Sequence, residues 1–224
     1  MDQDATSGRQ ACWEVSDAFI NKITAYVKEY MSQYDGSHDF NHVKRVLALA
    51  ENILSSENQS GVKPKIAYER TLVVLGALLH DVGDKKYLQP GQDASTLVRH
   101  LLVELGAQAD LAARVQDLVL HVSFSGEKDN PQKVDGKIAE IPELAIVQDA
   151  DRLDAIGAVG VARCFAFTGA RGGSLEGAID HFGDKLVLLA SLMKTESGRK
   201  MALARTQRLT EFKDWWDSEI AEAM

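Results

Sequence analysis

The 224-residue chain has only two cysteines, Cys12 and Cys164. Two thiols cannot staple a domain of this size, and neither pairs with histidine at zinc-finger spacing. A disulfide scaffold is therefore excluded, and a reducing, cytoplasmic compartment is the default expectation. Basic residues are in the minority: 25 Lys+Arg face 33 Asp+Glu, for a formal net charge of −8. Stable nucleic-acid binding is not expected without basic stripes that displace counterions. No apolar run nears the roughly 20 residues that cross a bilayer, so no membrane partner is expected. The longest such run is Leu72 to Leu79. The acidic start Met1-Asp2-Gln3-Asp4 has neither signal-peptide nor transit-peptide character. Alternating strand patterns are scarce, and no repeat or low-complexity tract occurs. With hydrophobics at 45% and charged residues at 26%, a globular chain remains. Any anionic ligand must be held by a local cluster of positive groups or by a metal.

What is present is helical periodicity. Residues 14–34 place Val15, Phe19, Ile23, Tyr26, Val27 and Tyr30 on one face, and 38–56 repeat the pattern. Pro64 opens the next predicted helix, which runs through Ala67 and Leu72 to His80, with Gly83 near its end. Because 72–79 is apolar nearly all round, this helix is predicted to sit in the middle of the fold. Helices are predicted over 93–105 and 109–121, separated by Gly106, with Asp110 as a cap. The stretch 124–141 reads as a long polar loop, and Pro142 starts a helix through Asp151. Residues 155–168 continue helical, Arg171-Gly172-Gly173 breaks them, and helices over 181–193 and 196–219 follow. The expectation is a single all-α bundle over 13–224 around the central apolar helix, after a disordered segment at 1–12.

Six histidines are few and unevenly placed. His38 and His42 open one helix, and His80-Asp81 ends the central apolar one. Val147-Gln148-Asp149-Ala150-Asp151-Arg152-Leu153-Asp154 crowds three carboxylates against an arginine. Histidine and aspartate are costly to bury unpaired, so His80-Asp81 demands a partner. A divalent cation satisfies neutral imidazoles and ionised carboxylates at once, and N/O ligation suits Mn, Fe, Co, Ni, Zn or Mg. The alternative is a helix-capping His80 with Asp81 paired to an arginine.

The words around these residues extend the pattern: His38-Asp39-Phe40-Asn41-His42-Val43-Lys44-Arg45, Leu79-His80-Asp81-Val82-Gly83-Asp84-Lys85-Lys86 and Gln148 to Ala158, with His181-Phe182, Lys185-Leu186 and Met193-Lys194-Thr195 behind them. In this order they resemble the HD-domain metal-dependent phosphohydrolases, in particular the small YpgQ-like branch. The resemblance covers roughly residues 15–215. It implies an all-helical fold and one divalent metal, with manganese first and Mg, Co, Ni or Fe as alternatives. His42, His80, Asp81 and Asp151 are then the implied ligands. It also implies hydrolysis of nucleotide phosphate bonds, foremost a deoxynucleoside triphosphate to the monophosphate and pyrophosphate. A small-molecule nucleotide is the expected partner.

Two imidazoles and two carboxylates leave open positions on an octahedral ion for water and a phosphate oxygen. Asp84, three residues beyond Asp81, is the candidate that positions water or the leaving group. Lys85 is a candidate phosphate contact. Arg45 falls three positions after His42, either facing the pocket or pairing with Asp149 or Asp154. His121 is expected to donate to a substrate phosphate. His38 is read as a helix-opening residue or a group behind the metal ligands, with Asp39 as a carboxylate behind a metal-bound histidine. Trp215 and Trp216 are read as packing or an interface, which leaves a homo-oligomer open. Four alternatives stand beside the first reading. One is a two-metal site that adds His100 and His121, as in di-iron oxygenases and cyclic-dinucleotide phosphodiesterases. The others are a 5′-nucleotidase, a (p)ppGpp hydrolase, and a non-enzymatic helical binding module.

Overall fold

The structure, a computed structural model, describes residues 13–34, 36–59, 66–84, 88 and 91–223. The expected disordered segment at 1–12 and the helix start at Pro64 lie outside the described residues. Among the described residues there is no strand, and the fold is all-α.

Local chemistry fixes where the helices begin. Ser16 caps α1 (Asp17–Tyr30) by accepting the Phe19 N–H at 3.2 Å. Asp39 opens α2 (Phe40–Gln59) by accepting the His42 N–H at 3.1 Å. The central helix α3 (Arg70–Leu79) starts later than Ala67, because the Glu69 carboxylate accepts the Thr71 N–H and caps it there. Every residue from Leu72 to Leu79 is buried, as the all-round apolar pattern predicts. Leu72, Leu75, Leu78 and Leu79 enter one hydrophobic cluster with α1, α4 (Leu97–Glu104) and α5 (Ala109–Val119). Val73 and Ala77 enter a second cluster on the opposite side. Complete burial of each such leucine contributes about 1.5–3 kcal/mol, so α3 joins the two halves of the core.

Asp110 does not cap α5. Gln108 holds the cap position, while Asp110 accepts from the Trp13 indole at 3.2 Å. A larger correction concerns 124–141, which forms two helices, α6 (Phe124–Asp129) and α7 (Pro131–Glu140), instead of a polar loop. Asn130 breaks between them and caps α7 by accepting the Lys133 N–H at 3.1 Å, with Pro131 at the first helical position. Burial of Glu127 anchors α6: its carboxylate pairs with the Arg152 guanidinium and with the Lys194 ammonium at 2.5 Å. These partners are distant in sequence, so the turn-rich composition of the segment dominated the sequence reading.

The helix α8 (Glu143–Asp154) packs against α2 and α3 and is buried on nearly every side. Between α8 and α9 (Gly157–Ala170) the axis bends by 72°. Gly157 permits the corner with a φ of +73°, and a Cβ on Gly160 would lie 2.3 Å from the Ala155 carbonyl oxygen. Ser174 caps α10 (Leu175–Asp184), so this helix begins earlier than predicted. It gives way at Lys185 to a 3-10 run, Leu186–Leu192, and α11 (Glu196–Glu222) closes the fold. The tryptophan pair separates by environment. Trp216 packs on Phe165 at 5.9 Å between ring centroids, whereas Trp215 is 64% exposed. No single helix among the described residues is long and apolar enough to cross a membrane.

Candidate metal centre

The three carboxylates crowded together in sequence are dispersed by the helix of α8. Asp149 points toward α11, where the backbone N–H groups of Lys194 and Thr195 and the Thr195 hydroxyl donate to it at 2.7–3.1 Å. Its burial raises its pKa against these bonds. Asp154 turns toward α2. Asp151 faces the ends of α2 and α3. Successive helical positions differ by about 100°, which assigns each aspartate its own direction.

At that junction His42, His80 and Asp151 each offer one ligand atom, and these atoms lie within 4.8 Å of one another. His42 Nε2 and His80 Nε2 are 3.0 Å apart, and Asp151 Oδ1 lies 3.5 and 3.8 Å from them. Asp81 Oδ2 approaches the same two nitrogens at 3.4 and 3.3 Å. Both imidazoles are 1% exposed at the side chain.

The tautomers follow from the other ring nitrogens. His42 Nδ1 donates to Asp154 Oδ2 at 2.8 Å, and His80 Nδ1 donates to the Ala77 carbonyl at 2.8 Å. Neither acceptor carries a proton to give, so both Nε2 lone pairs point into the junction. Two lone pairs facing each other at 3.0 Å repel unless a metal ion, or a proton on His80 Nε2, lies between or beside them. Asp81 Oδ2 is buried there with no hydrogen-bond partner, which is costly for a carboxylate oxygen. The electrostatics agree. Burial opposes charge on His80, yet the Asp81 and Asp151 carboxylates push its pKa up to about 9. Burial likewise opposes ionisation of Asp81, but the His80 charge, with both imidazoles at 3.3–3.4 Å, holds it well below the usual carboxylate range. The donor set fits a divalent cation with N/O ligation.

The junction forms one end of a 430 Å³ cavity. Asp84 lines it, as do His38, Phe124, Arg163 and Lys185. The Lys185 ammonium lies 5.0 Å from the centre of the Phe124 ring. Of the predicted phosphate contacts, Lys85 lies outside the described residues. Arg45 and His121 do not line the cavity. The Arg45 guanidinium is doubly bonded to Asp154, at 2.7 and 3.0 Å, so its pairing alternative is the one realised. His121 Nδ1 bonds back to the Asp117 carbonyl at 2.7 Å, one helical turn earlier. The carboxylate behind His42 is Asp154, because Asp39 is spent on the start of α2. His100 and His121 stand outside the group that can hold a metal, so the two-metal order is not assembled among the described residues.

Sequence reasoning missed Phe124 and Arg163. Phe124 lay in the misread loop. Arg163 had a readable signal: a lone cation in the apolar stretch of α9 must find partners. It donates to the Ser37 carbonyl at 2.7 Å and pairs with Asp154 at 3.1 Å.

Glu127 gives a testable consequence for the anchoring of α6. Burial opposes its charge, but Lys194 and Arg152 hold its pKa below 4.5. Its contribution to stability is therefore complete above about pH 4.5 and is lost as pH falls through the lower folded value. Replacement Glu127→Gln leaves Arg152 without its partner, and about 3 kcal/mol should be lost at pH 7. Urea unfolding at pH 7 and pH 3.5 checks both points: the gap between wild type and variant should be wider at the first than at the second.

The chain has counterparts among known proteins. Residues 39–156 match the HD domain family. The chain belongs to this family of metal-dependent phosphohydrolases. Among its relatives, YpgQ of Bacillus subtilis is 35% identical over 198 residues, covering 85% of this chain and 88% of YpgQ. The crystal structure of YpgQ in complex with ADP superposes with a TM-score of 0.69 at 30% identity, covering 90% of this chain and 95% of YpgQ. An HD-superfamily hydrolase of Bacillus thuringiensis gives a TM-score of 0.66 at 27% identity, over 90% of this chain and 96% of the other.

Proposed function

We propose that this protein hydrolyses nucleotide phosphate bonds with a divalent ion, manganese first, held by His42, His80, Asp81 and Asp151, and that its reaction cleaves deoxynucleoside triphosphates to monophosphate and pyrophosphate. The observation that carries the reading is the convergence of two imidazole lone pairs and two carboxylates at one end of a 430 Å³ cavity. When bound, the ion supplies Lewis acidity toward a phosphoryl oxygen and an activated water. The remaining walls suit the rest of a nucleotide. Arg163 and Lys185 offer positive charge, Phe124 a flat aromatic face, and Val119, Leu120 and Val122 apolar surface. ADP bound to the related YpgQ supports a nucleotide ligand here.

Asp84, on the cavity wall, orients the attacking water and takes its proton as oxygen joins the α-phosphorus. The bond from that phosphorus to the bridging oxygen breaks, and pyrophosphate leaves. Lys85, four residues beyond Asp81 in the sequence, is the candidate contact for the phosphates. The test is a panel of nucleotides with Mn²⁺, scoring pyrophosphate against orthophosphate. Pyrophosphate from triphosphates supports the reading; orthophosphate from monophosphates replaces it with a 5′-nucleotidase; no product rejects both. In the active assay, Asp84→Asn should lower kcat by about 10²–10⁴-fold, the range for a general acid or base, with Mn²⁺ affinity unchanged.

A further inference from the structure

Asp154 lies three residues beyond Asp151 and takes no place on the cavity wall. Its side chain is 1% exposed. Four contacts surround its two oxygens: His42 Nδ1 at 2.8 Å, Arg45 Nε at 2.7 Å, Arg45 Nη2 at 3.0 Å and Arg163 Nη1 at 3.1 Å. Oδ2 takes three of these contacts and Oδ1 the fourth, so the carboxylate is committed to His42 and the two arginines. It can act on the centre only through His42.

We infer that Asp154, clamped between Arg45 of α2 and Arg163 of α9, is a positioning residue that fixes the His42 tautomer and thereby sets the affinity of the centre for its metal. This rests on the reading of His42 as a ligand. An acceptor at Nδ1 keeps the proton there and leaves the Nε2 lone pair facing His80. Without it, the imidazole is free to protonate Nε2, and that tautomer cannot ligate. The negative charge also makes the His42 ring a stronger donor to the ion. The two arginines hold the carboxylate in place. Arg45 grips it with two parallel N–H groups, and Arg163 is itself fixed by the Ser37 carbonyl at 2.7 Å. The clamp also explains why arginines stand at positions 45 and 163: a lysine offers one point charge in place of a fork.

Titration of Mn²⁺ into metal-free protein tests the inference without any turnover. Asp154→Ala should weaken binding by about 10–100-fold, the cost of losing such a partner, and formate added to the variant should recover part of it. Asp154→Asn keeps the volume and one oxygen, and it serves if the alanine variant does not fold; it should weaken binding in the same direction. Nitrogen-15 spectra of histidine in the wild type loaded with Zn²⁺ should show His42 protonated at Nδ1 and coordinated through Nε2. Folded variants that bind Mn²⁺ within threefold of wild type overturn the inference, as does coordination through Nδ1. Wild type that takes up no Mn²⁺ overturns it together with the metal reading, whereas absence of nucleotide hydrolysis touches only the proposed reaction.

Discussion

Replacing Asp81 with alanine is expected to abolish turnover and Mn²⁺ retention together. Loss of a partner behind a metal ligand already costs about 10–100-fold in affinity, so removal of a direct ligand should exceed 100-fold. The physical reason is specific to this position. Asp81 Oδ2 sits 3.3–3.4 Å from both imidazole nitrogens and has no other hydrogen-bond partner. The variant should keep its helices, because α3 is held by buried leucines on two sides. Thermal unfolding separates the outcomes. With Mn²⁺ at 100 times its dissociation constant, binding stabilises wild type by about 2.7 kcal/mol. For a chain of this size that raises Tm by roughly 5–11 °C. The variant should show no rise. A folded Asp81→Ala protein with full activity, or with an undiminished Mn²⁺-induced rise, rejects the assignment.

The second large effect is a dependence of metal affinity on pH. In the metal-free protein the His80 pKa stands at about 9, because Asp81 and Asp151 outweigh the effect of burial. Ligation needs the neutral imidazole, so an ion must displace a proton at any pH below that value. The apparent dissociation constant should fall by up to tenfold per pH unit from pH 7 to pH 9, about 100-fold in all, and then level off. The stability of the metal-free protein moves the other way. A folded pKa above the unfolded 6.5 gives a contribution that is complete below pH 6.5 and lost as pH rises through 9. The gap in Tm between loaded and metal-free protein should therefore widen with pH. Affinity that is flat from pH 7 to 9 contradicts proton displacement from His80.

Much of this site was legible in the chain because its residues stand at helix ends. An imidazole and a carboxylate directly after eight buried apolar positions leave His80 Nε2 and the Asp81 carboxylate without a local partner, and the packing of α2, α3 and α8 brings them together with His42 and Asp151. The sequence leaves Arg45 between two readings and misplaces His121, for one shared reason. Spacing states which face of a helix a residue occupies but not what that face meets. Arg45 meets Asp154 and His121 turns back to Asp117. Glu127 and Arg163 escaped notice because their partners lie 25, 67 and 126 residues away.

The sequence by itself determined the helical class and the central position of α3, since periodicity is a local property, whereas its candidate ligands came from a family resemblance. Only the tertiary structure decided which of three aspartates in α8 faces the junction, which nitrogen of each imidazole is free, and which walls enclose the cavity. Those are matters of direction, and a side chain's direction acquires meaning only when the helices opposite it are in place.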